Sequence, residues 1–557
     1  QITQEKEGKT KSNILFKILV IAIFIGIIAI VINLAPNYIR KEIKDKMNVI
    51  INNNDVTTSM KFNTFVDEKD IVYIATKDIA NFFDEDIYYD NVYEQIITSS
   101  ETKLAVLPLN KKEIIVNGSN VKIYGSAIKK DNEFYLPFSE MNDIYNVEIK
   151  YNQESNILTI DSLDREQKKA NASKDINVKY RPTIFSKTID KVKKGDSVIV
   201  IENAENGWYK IRTKLGKIGY TKDITNIYTV REQIETKKQI EGKVSLVWDY
   251  YSEYASAPNR QGTKINGVNV VSPAFANLEK SGELNINIGD AGKRYVDWAH
   301  DNNYKVWAIV SNNSYKNATS EVLNDYNKRA ELINKIVTMA ISYNLDGINI
   351  DFEYMNESDK DVFSRFIIEL SPRLKEYGKV LSVDVTAPDG SADWSLCYNR
   401  NKIGKVADYI IFMAYDQYGI SSTSAGTTAG ADWVEVNIKK FLGQEGVNAE
   451  KIILGMPFYT RAWRDTSDGV KSNVVSMKYI DSTVPSDANK QWDENLKQYY
   501  VEYQKNGTSY KMWIEDEKSI EAKFDLMHNY KLAGAAYWQK DMEKEGLWDL
   551  IEKEINK

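Results

Sequence analysis

Residues 345–355, LDGINIDFEYM, constrain the fold of this chain more than any other stretch. Apolar and polar side chains nearly alternate along this run, which predicts a strand with Asn349, Asp351 and Glu353 on one face. A helical pattern over 357–377 follows, as in a β/α repeat, where one strand face packs under helices and the other looks into a barrel. The carboxylates are therefore expected inside the barrel. Two acids two residues apart on a strand lie about 6 to 7 Å apart, close enough to keep one of them protonated near neutral pH.

Strand patterns alternate with helical patterns from residue 243 to the end of the chain. Helical stretches such as 291–302 and 320–343 separate most of the strands. Eight units in about 315 residues predict an α/β domain of the (β/α)8 barrel type over 243–557. A longer gap at 461–532 predicts a small inserted lobe beside the cleft. The predicted strands are 244–251, 267–277, 304–312, 345–353, 380–388, 409–418, 452–460 and 534–541.

An acidic pattern such as DxDxE could be only a strand end or a cation site, but the residues around it make the pattern more specific. Asp346, Gly347, Asp351 and Glu353 match a DGxxxDxE signature, and the run resembles glycoside hydrolase family 18, the chitinase-like enzymes. The family commonly has an Asp where this chain has Asn349. An amide there can hydrogen-bond Asp351 but cannot share its charge. With Asn at this place, the chain resembles the peptidoglycan- and spore-cortex-directed branch of the family.

The resemblance implies a glycosidase in which the N-acetyl group of the substrate acts as the nucleophile. Glu353 would then protonate the leaving oxygen, Asp351 would hold the acetamido N–H, and Tyr415 would donate its hydroxyl to the acetamido carbonyl. The implied substrate-binding residues are Asn349, Met413, Asp416 and Trp538, with Trp538 as an apolar floor under the sugar. The alternative is that Tyr415 and Trp538 are core residues. Asp346, off the odd-numbered face, is expected to be structural.

Composition excludes several other kinds of site. The chain has two histidines, His300 and His528, and one cysteine, Cys397. This argues against a Ser-His-Asp triad, a zinc site or a disulfide framework, so no metal and no cofactor is expected. The net charge of -6 gives no indication of a nucleic-acid partner. The 35 Tyr and 11 Trp supply rings that can stack on sugars.

The N-terminal residues predict a membrane anchor. Residues 14–35 are almost entirely apolar and long enough to span a bilayer as a helix, after a polar cytoplasmic tail at 1–13. A cleaved signal peptide is the alternative, although Pro36 is a poor residue after a cleavage point. The expected localisation is a single-pass cell-membrane protein with an extracellular catalytic domain, or alternatively a protein secreted to the cell wall or spore cortex.

Two small domains are predicted between the anchor and the barrel. Residues 48–162 contain two copies of a hairpin, a strand entering a helix and a closing strand, similar to the N-terminal stalk domain of copper amine oxidases but without copper ligands. A spacer is expected, with glycan or protein binding as the alternative. After a polar linker at 163–174, residues 175–229 resemble a bacterial SH3-like domain. Its Trp208 and Tyr220 either bind peptidoglycan or form its core.

The partner expected from these features is a polysaccharide that contains a 2-acetamido sugar, which leaves peptidoglycan and chitin. The predicted anchor, stalk and SH3-like domain favour the wall of the cell itself, and the run at 304–312 resembles the cortex-lytic branch where the family usually has SxGG. The alternatives are a chitinase and a lectin-like relative that binds without cleaving. A monomer is expected.

Overall fold

The computed structural model describes residues 46–234 and 238–557. The predicted tail and transmembrane helix at 1–13 and 14–35 lie outside these residues. Over the described ranges, no helix combines the length and apolar character needed to cross a bilayer. The chain divides into two compact units: over the described residues, the first consists of 46–100 and 104–234, and the second of 238–557 together with 101–103.

The predicted stalk segment contains two copies of the expected elements, but the copies share their sheets. Strand β1 of the first copy pairs in parallel with β13 of the second, Asn48 opposite Ile157. In the same way, β7 pairs with β8 and β4 pairs with β11, which gives the two copies one common apolar core. The strands are β1 (Asn48–Ile51), β2 (Asn54–Asp55), β3 (Phe65–Val66), β4 (Val72–Ala75), β5 (Tyr88–Asp90), β6 (Gln95–Ser99), β7 (Leu104–Pro108), β8 (Glu113–Val116), β9 (Ser119–Lys122), β10 (Ile128–Lys130), β11 (Glu133–Pro137), β12 (Val147–Asn152) and β13 (Ile157–Ser162), and the helices are α1 (Thr76–Phe82) and α2 (Asn142–Tyr145).

The next segment forms one seven-stranded antiparallel sheet. It begins inside the stretch expected to be a linker, because the alternating run 167–172 buries Ala170 and Ala172 and forms a strand. Trp208 is buried and Tyr220 is partly exposed, so of these two residues Tyr220 is the one that solvent reaches. The resemblance to an SH3-like domain remains a prediction. The strands are β14 (Gln167–Ala172), β15 (Ile176–Lys179), β16 (Thr188–Val192), β17 (Ser197–Asn203), β18 (Tyr209–Arg212), β19 (Ile218–Thr221) and β20 (Ile224–Arg231).

The second unit contains the predicted barrel. Its strands pair in parallel in chain order, and β22 pairs directly with β25, while β23 and β24 form a hairpin that extends from the edge of β25. The strands up to this point are β21 (Val244–Asp249), β22 (Val270–Pro273), β23 (Ala276–Leu278), β24 (Leu284–Ile286), β25 (Lys305–Ser311), β26 (Gly347–Asp351), β27 (Val380–Val385), β28 (Tyr409–Met413) and β29 (Ile452–Pro457).

The predicted inserted lobe follows the seventh barrel strand. It is an antiparallel sheet of five strands in the order β31-β30-β34-β33-β32. Its strands are β30 (Tyr459–Thr466), β31 (Gly469–Ser476), β32 (Gln491–Asp493), β33 (Gln498–Lys505) and β34 (Thr508–Ile514). Strand β35 (Gly534–Trp538) then pairs with both β29 and β21 and closes the barrel. The predicted eight-stranded barrel is therefore confirmed.

Helices cover the outside of the barrel. The pattern at 320–343 forms two helices rather than one, because Asp325 ends the first and accepts the backbone N–H of Lys328 (3.0 Å) as the N-cap of the second. The helices are α3 (Gly289–Asp301), α4 (Lys316–Asn324), α5 (Tyr326–Ser342), α6 (Lys360–Lys375), α7 (Arg400–Val406), α8 (Ala431–Gly443), α9 (Ile480–Thr483), α10 (Glu517–Asn529) and α11 (Leu547–Ile555).

Candidate active site

The two acids of the signature lie at the carboxyl end of the fourth barrel strand. Asp351 is the last residue of β26 and pairs with Ser311 of β25. Glu353 follows two residues later; each residue as a whole is partly exposed, while the Oδ1 atom of Asp351 is buried. The carboxyl ends of barrel strands are where such folds collect their reactive groups. The strand therefore presents both acids at the mouth of the barrel.

Asn312, directly after β25, fixes the backbone of Glu353. Its side-chain oxygen accepts the N–H of Glu353 (3.0 Å), and its side-chain nitrogen donates to the carbonyl of Glu353 (2.9 Å). The same nitrogen also donates to Thr319 (3.1 Å), and Asn312 is buried. The Asn312 amide thus hydrogen-bonds both the backbone N–H and the backbone C=O of Glu353, as the backbone of a neighbouring strand would do in a sheet.

Replacing Asn312 with Ala is expected to lower kcat by about 10²-fold with little change in KM, because a displacement of about 1 Å at the reacting group costs that much. Asn437→Ala is the matched control, since Asn437 is equally buried but donates to the carbonyl of Trp433 on α8. Steady-state kinetics and thermal unfolding should be measured on both variants. A folded Asn312→Ala protein with unchanged kcat would contradict the positioning role.

Burial and mutual repulsion keep protons on this pair of acids. Burial raises the pKa of Asp351 to about 6, although a hydrogen bond with the Glu353 carboxyl lowers it in part. Burial, together with the charges of Asp351 and Asp384, raises the pKa of Glu353 well above its ordinary value. At neutral pH Glu353 is therefore a proton donor and Asp351 carries the negative charge. Among the described residues, none hydrogen-bonds the buried Oδ1 of Asp351.

Tyr415 lies two residues after β28 and is close enough to feel the charges of both acids, and Trp538 is the last residue of β35. The ring of Trp248, on β21, makes edge contacts with both, at centroid distances of 6.5 Å to Tyr415 and 5.8 Å to Trp538. The half-exposed ring of Tyr250 lies 5.7 Å from Trp538. Burial raises the pKa of Tyr415 well above its ordinary value, so its hydroxyl keeps its proton at neutral pH. The site therefore has an aromatic wall with one hydroxyl donor.

Asp416 is held by two residues from the inserted lobe. It accepts the Tyr459 hydroxyl (2.8 Å) and the Arg461 guanidinium (3.0 Å from Nη2), and its backbone has a φ of 55°. The side chain remains partly exposed, so an oxygen is available at the rim. Met413, the last residue of β28, is buried and offers little surface to a ligand.

Asn349 does not lie where a substrate contact was expected. It is fully buried inside the barrel, and its side chain bonds Trp248 (2.8 Å) and Asp384 (2.7 Å) rather than Asp351. The prediction of a substrate-binding Asn349 is corrected, because the strand turns this residue into the barrel one layer below the mouth. Asp346 is structural: it accepts Lys305 (3.0 Å) and the backbone N–H of Val306 (3.0 Å) at the other end of the strand.

Several site residues were missed from the sequence. A signal was present for Asp384, because Ser382, Asp384 and Thr386 alternate with valines in the same period-2 pattern as the acidic strand. The other missed residues lie on or directly after other strands, and their spacing in the sequence does not indicate that they meet at the site. They are Trp248, Asn312, Tyr459 and Arg461.

Two parts of the chain match known protein families. Residues 247–543 match the model for glycosyl hydrolases family 18, which covers the barrel and the inserted lobe. Residues 50–160 match the model for the copper amine oxidase N-terminal domain, which covers the two interlocked copies in the first unit.

Individual relatives are similar to the barrel region. The uncharacterized glycosylase YvbX of Bacillus subtilis (strain 168) is 30% identical over 299 residues, which are 51% of this chain and 83% of that protein. A cortical fragment-lytic enzyme of the same bacterium is 26% identical over 42% of this chain, but the match spans only 56% of that enzyme. A chitinase structure from Chromobacterium violaceum ATCC 12472 covers 57% of this chain and 100% of its own, with a TM-score of 0.52 and 24% identity, which shows the fold.

Proposed function

The chain belongs to glycosyl hydrolase family 18, and from this membership we propose that it is a retaining N-acetylglucosaminidase that cleaves peptidoglycan with the help of the substrate. The observation that carries the proposal is the position of Asp351 and Glu353, two residues apart at the end of β26, where the charge of Asp351 reaches the carboxyl of Glu353. A retaining enzyme with its own nucleophile keeps its two carboxyls about 5 to 5.5 Å apart, on either side of the bond that breaks. Asp351 lies beside the acid Glu353 at the same strand end, and therefore on the same side of the bond that breaks, so the nucleophile must come from the substrate.

The acetamido group of the sugar supplies this nucleophile. Glu353 gives its proton to the glycosidic oxygen, and the bond from that oxygen to the anomeric carbon breaks while the acetamido carbonyl oxygen bonds to the same carbon. Asp351 accepts the acetamido N–H on its free Oδ1 and balances the positive charge of the oxazolinium ring. Tyr415 donates its hydroxyl to the acetamido carbonyl and orients it.

The second step restores the enzyme. Glu353, now ionised, takes a proton from water as the water oxygen attacks the anomeric carbon. The bond from that carbon to the oxygen of the oxazolinium ring breaks, and this restores the acetamido group. Two inversions give net retention of configuration. Trp538 and Tyr250 offer apolar ring faces to the sugar, and Asp416 offers an acceptor for a sugar hydroxyl.

The substrate is a glycan with a 2-acetamido sugar at the cleaved bond. Peptidoglycan is favoured over chitin by the similarity to a cortical fragment-lytic enzyme and by the apolar residues 14–35, which would hold the barrel outside the membrane. Tyr220 in the first unit would add a wall contact.

The test uses the whole chain in mild detergent and its Glu353→Gln variant. Each is incubated with purified peptidoglycan, spore cortex and chitin, and the fragments are identified by mass spectrometry. We expect fragments with N-acetylglucosamine at the new reducing end from the two wall substrates, with the unmodified protein only. Release from chitin alone would make the protein a chitinase, and binding without release by either protein would make it a lectin.

A further inference from the structure

A buried amide and a buried carboxyl form a pair inside the barrel, one layer below the acids at its mouth. Asn349 Nδ2 donates to Asp384 Oδ1 at 2.7 Å, and both side chains are almost completely shielded from solvent. Asn349 is on β26 and Asp384 is on β27, the fifth barrel strand. The bond therefore joins two neighbouring strands.

The orientation of the amide is fixed by a third strand. The indole N–H of Trp248, on β21, donates to Asn349 Oδ1 at 2.8 Å, and an indole can only donate. The amide oxygen must therefore face Trp248, which leaves the amide nitrogen to face Asp384. Asn349 thus offers Asp384 a donor and cannot take up or release a proton.

Asp384 lies next to Asp351 across the strand pair. The last pair in the register joins Ile350 of β26 with Val383 of β27, and Asp351 and Asp384 are the next residues on each strand. Neighbouring strands are about 4.8 Å apart. The charge of Asp351 accordingly raises the pKa of Asp384, in addition to the larger effect of burial.

Asp384 faces acids and phenols rather than cations. In the part of the chain that the structure describes, no lysine or arginine forms an ion pair with it. A buried carboxylate without a cation is costly unless it holds a proton or shares one. The titratable and charged groups that interact with it or with its acidic neighbours come from β26 and the residues after it, from the segment between β27 and α7, from the residues after β28 and from β30. They are Asp351, Glu353, Tyr354, Tyr398, Tyr415, Asp416, Tyr459 and Arg461.

We propose that Asp384 is a positioning residue whose carboxyl, placed next to Asp351 across the strand pair, titrates together with Asp351 and Glu353 and thereby keeps the acid Glu353 protonated. The amide of Asn349 cannot fill this role and instead holds the Asp384 carboxyl in place. The inference rests on the proposed function, because it concerns the same reaction.

Removing the Asp384 carboxyl leaves two interacting acids instead of three, so less negative charge builds up as the acids ionise and Glu353 should lose its proton more easily. Glu353 acts as a proton donor, so activity is present below its pKa and is lost as the pH rises through it. In Asp384→Asn the alkaline limb of the pH-rate profile is therefore expected to move down by about one pH unit or more, the size of shift that a nearby like charge produces.

The closing experiment compares Asp384→Asn with the exchanged pair Asn349→Asp/Asp384→Asn and with the control Asp408→Asn. The exchange returns one carboxyl to the hydrogen-bonded pair and should move the alkaline limb back toward that of the unmodified protein. Asp408 accepts the N–H of Leu381 (2.9 Å) at the opposite end of β27, so its replacement should leave the limb in place. The pH-rate profile is measured on the whole chain, together with infrared titration of the carboxyl groups, which needs no activity.

The outcomes separate this proposal from the proposed function. If a folded Asp384→Asn protein keeps the alkaline limb of the unmodified protein and its remaining carboxyls titrate in the infrared as before, the proposal is disproved. If Asp384→Asn does not fold, Asn349→Asp tests the same point. The added carboxyl beside Asp384 should give one more protonated carboxyl at neutral pH in the infrared titration. If this additional protonated carboxyl is not seen, the proposal is overturned. Infrared shifts as expected in a protein that cleaves none of the glycans would support the joint titration of Asp384 with Asp351 and Glu353 and reject the proposed function.

Discussion

Glu353→Gln is expected to lower kcat on natural glycans by about 10² to 10⁴-fold, the usual contribution of a general acid. The amide has nearly the same shape as the carboxyl, so the clamp that Asn312 places on the backbone of residue 353 should persist. Binding of the glycan should therefore be retained while its cleavage is lost. Steady-state kinetics and equilibrium binding to peptidoglycan check both parts.

The leaving group offers a sharper test of the role of Glu353. A nitrophenyl glycoside of N-acetylglucosamine needs no proton on its leaving oxygen, so the deficit of Glu353→Gln in forming the oxazolinium should shrink on this substrate. The exposed Glu357, four residues along the chain, provides the matched control Glu357→Gln, which should behave as the unmodified protein. An equal loss on both kinds of substrate would mean that Glu353 does not act as the acid.

Asp351→Asn is expected to cost about 10² to 10³-fold in kcat, similar to the loss of one electrostatic contact to a developing charge. The free Oδ1 of Asp351 is a buried acceptor, and an amide in its place would either turn its N–H toward the acetamido N–H or leave the positive ring without a counter-charge. This loss should be the same with the nitrophenyl glycoside, in contrast to Glu353→Gln.

The pH dependence gives Asp351 a second signature. Its pKa is raised to about 6 by burial, and it works in the ionised form. The unmodified protein should therefore lose activity as the pH falls through about 6, and the residual activity of Asp351→Asn should lack this acidic limb. An acidic limb that persists unchanged in the variant would assign it to another group.

The fold of the catalytic region could be predicted because its pattern is local. Each barrel strand is a short apolar or alternating run, and each is followed by a helix or an insertion, so eight strands can be counted without knowing their contacts. The acids of β26 were found in the same way, since Asp351 and Glu353 share one strand face. The position of the residues at the strand ends follows from barrel geometry.

The remaining site residues depend on contacts between strands. From the sequence, the amide of Asn349 could bond Asp351, two residues away on the same face, yet it bonds Asp384 on the next strand. Asn312 likewise acts on Glu353 across a strand pair. Sequence spacing defines neighbours along a strand but not across it, where the register decides which side chains meet.

The interlocked stalk has a consequence for the order of folding during synthesis. Because β1 needs β13 as a neighbour and β7 needs β8, neither copy can complete its sheets while the other is still unsynthesised. Pairing Asn48 with Ile157 closes a long loop, which slows folding compared with two independent repeats. A ribosome that has released only the first copy therefore holds unpaired strand edges, and this segment is expected to need protection from aggregation until residue 160 has emerged.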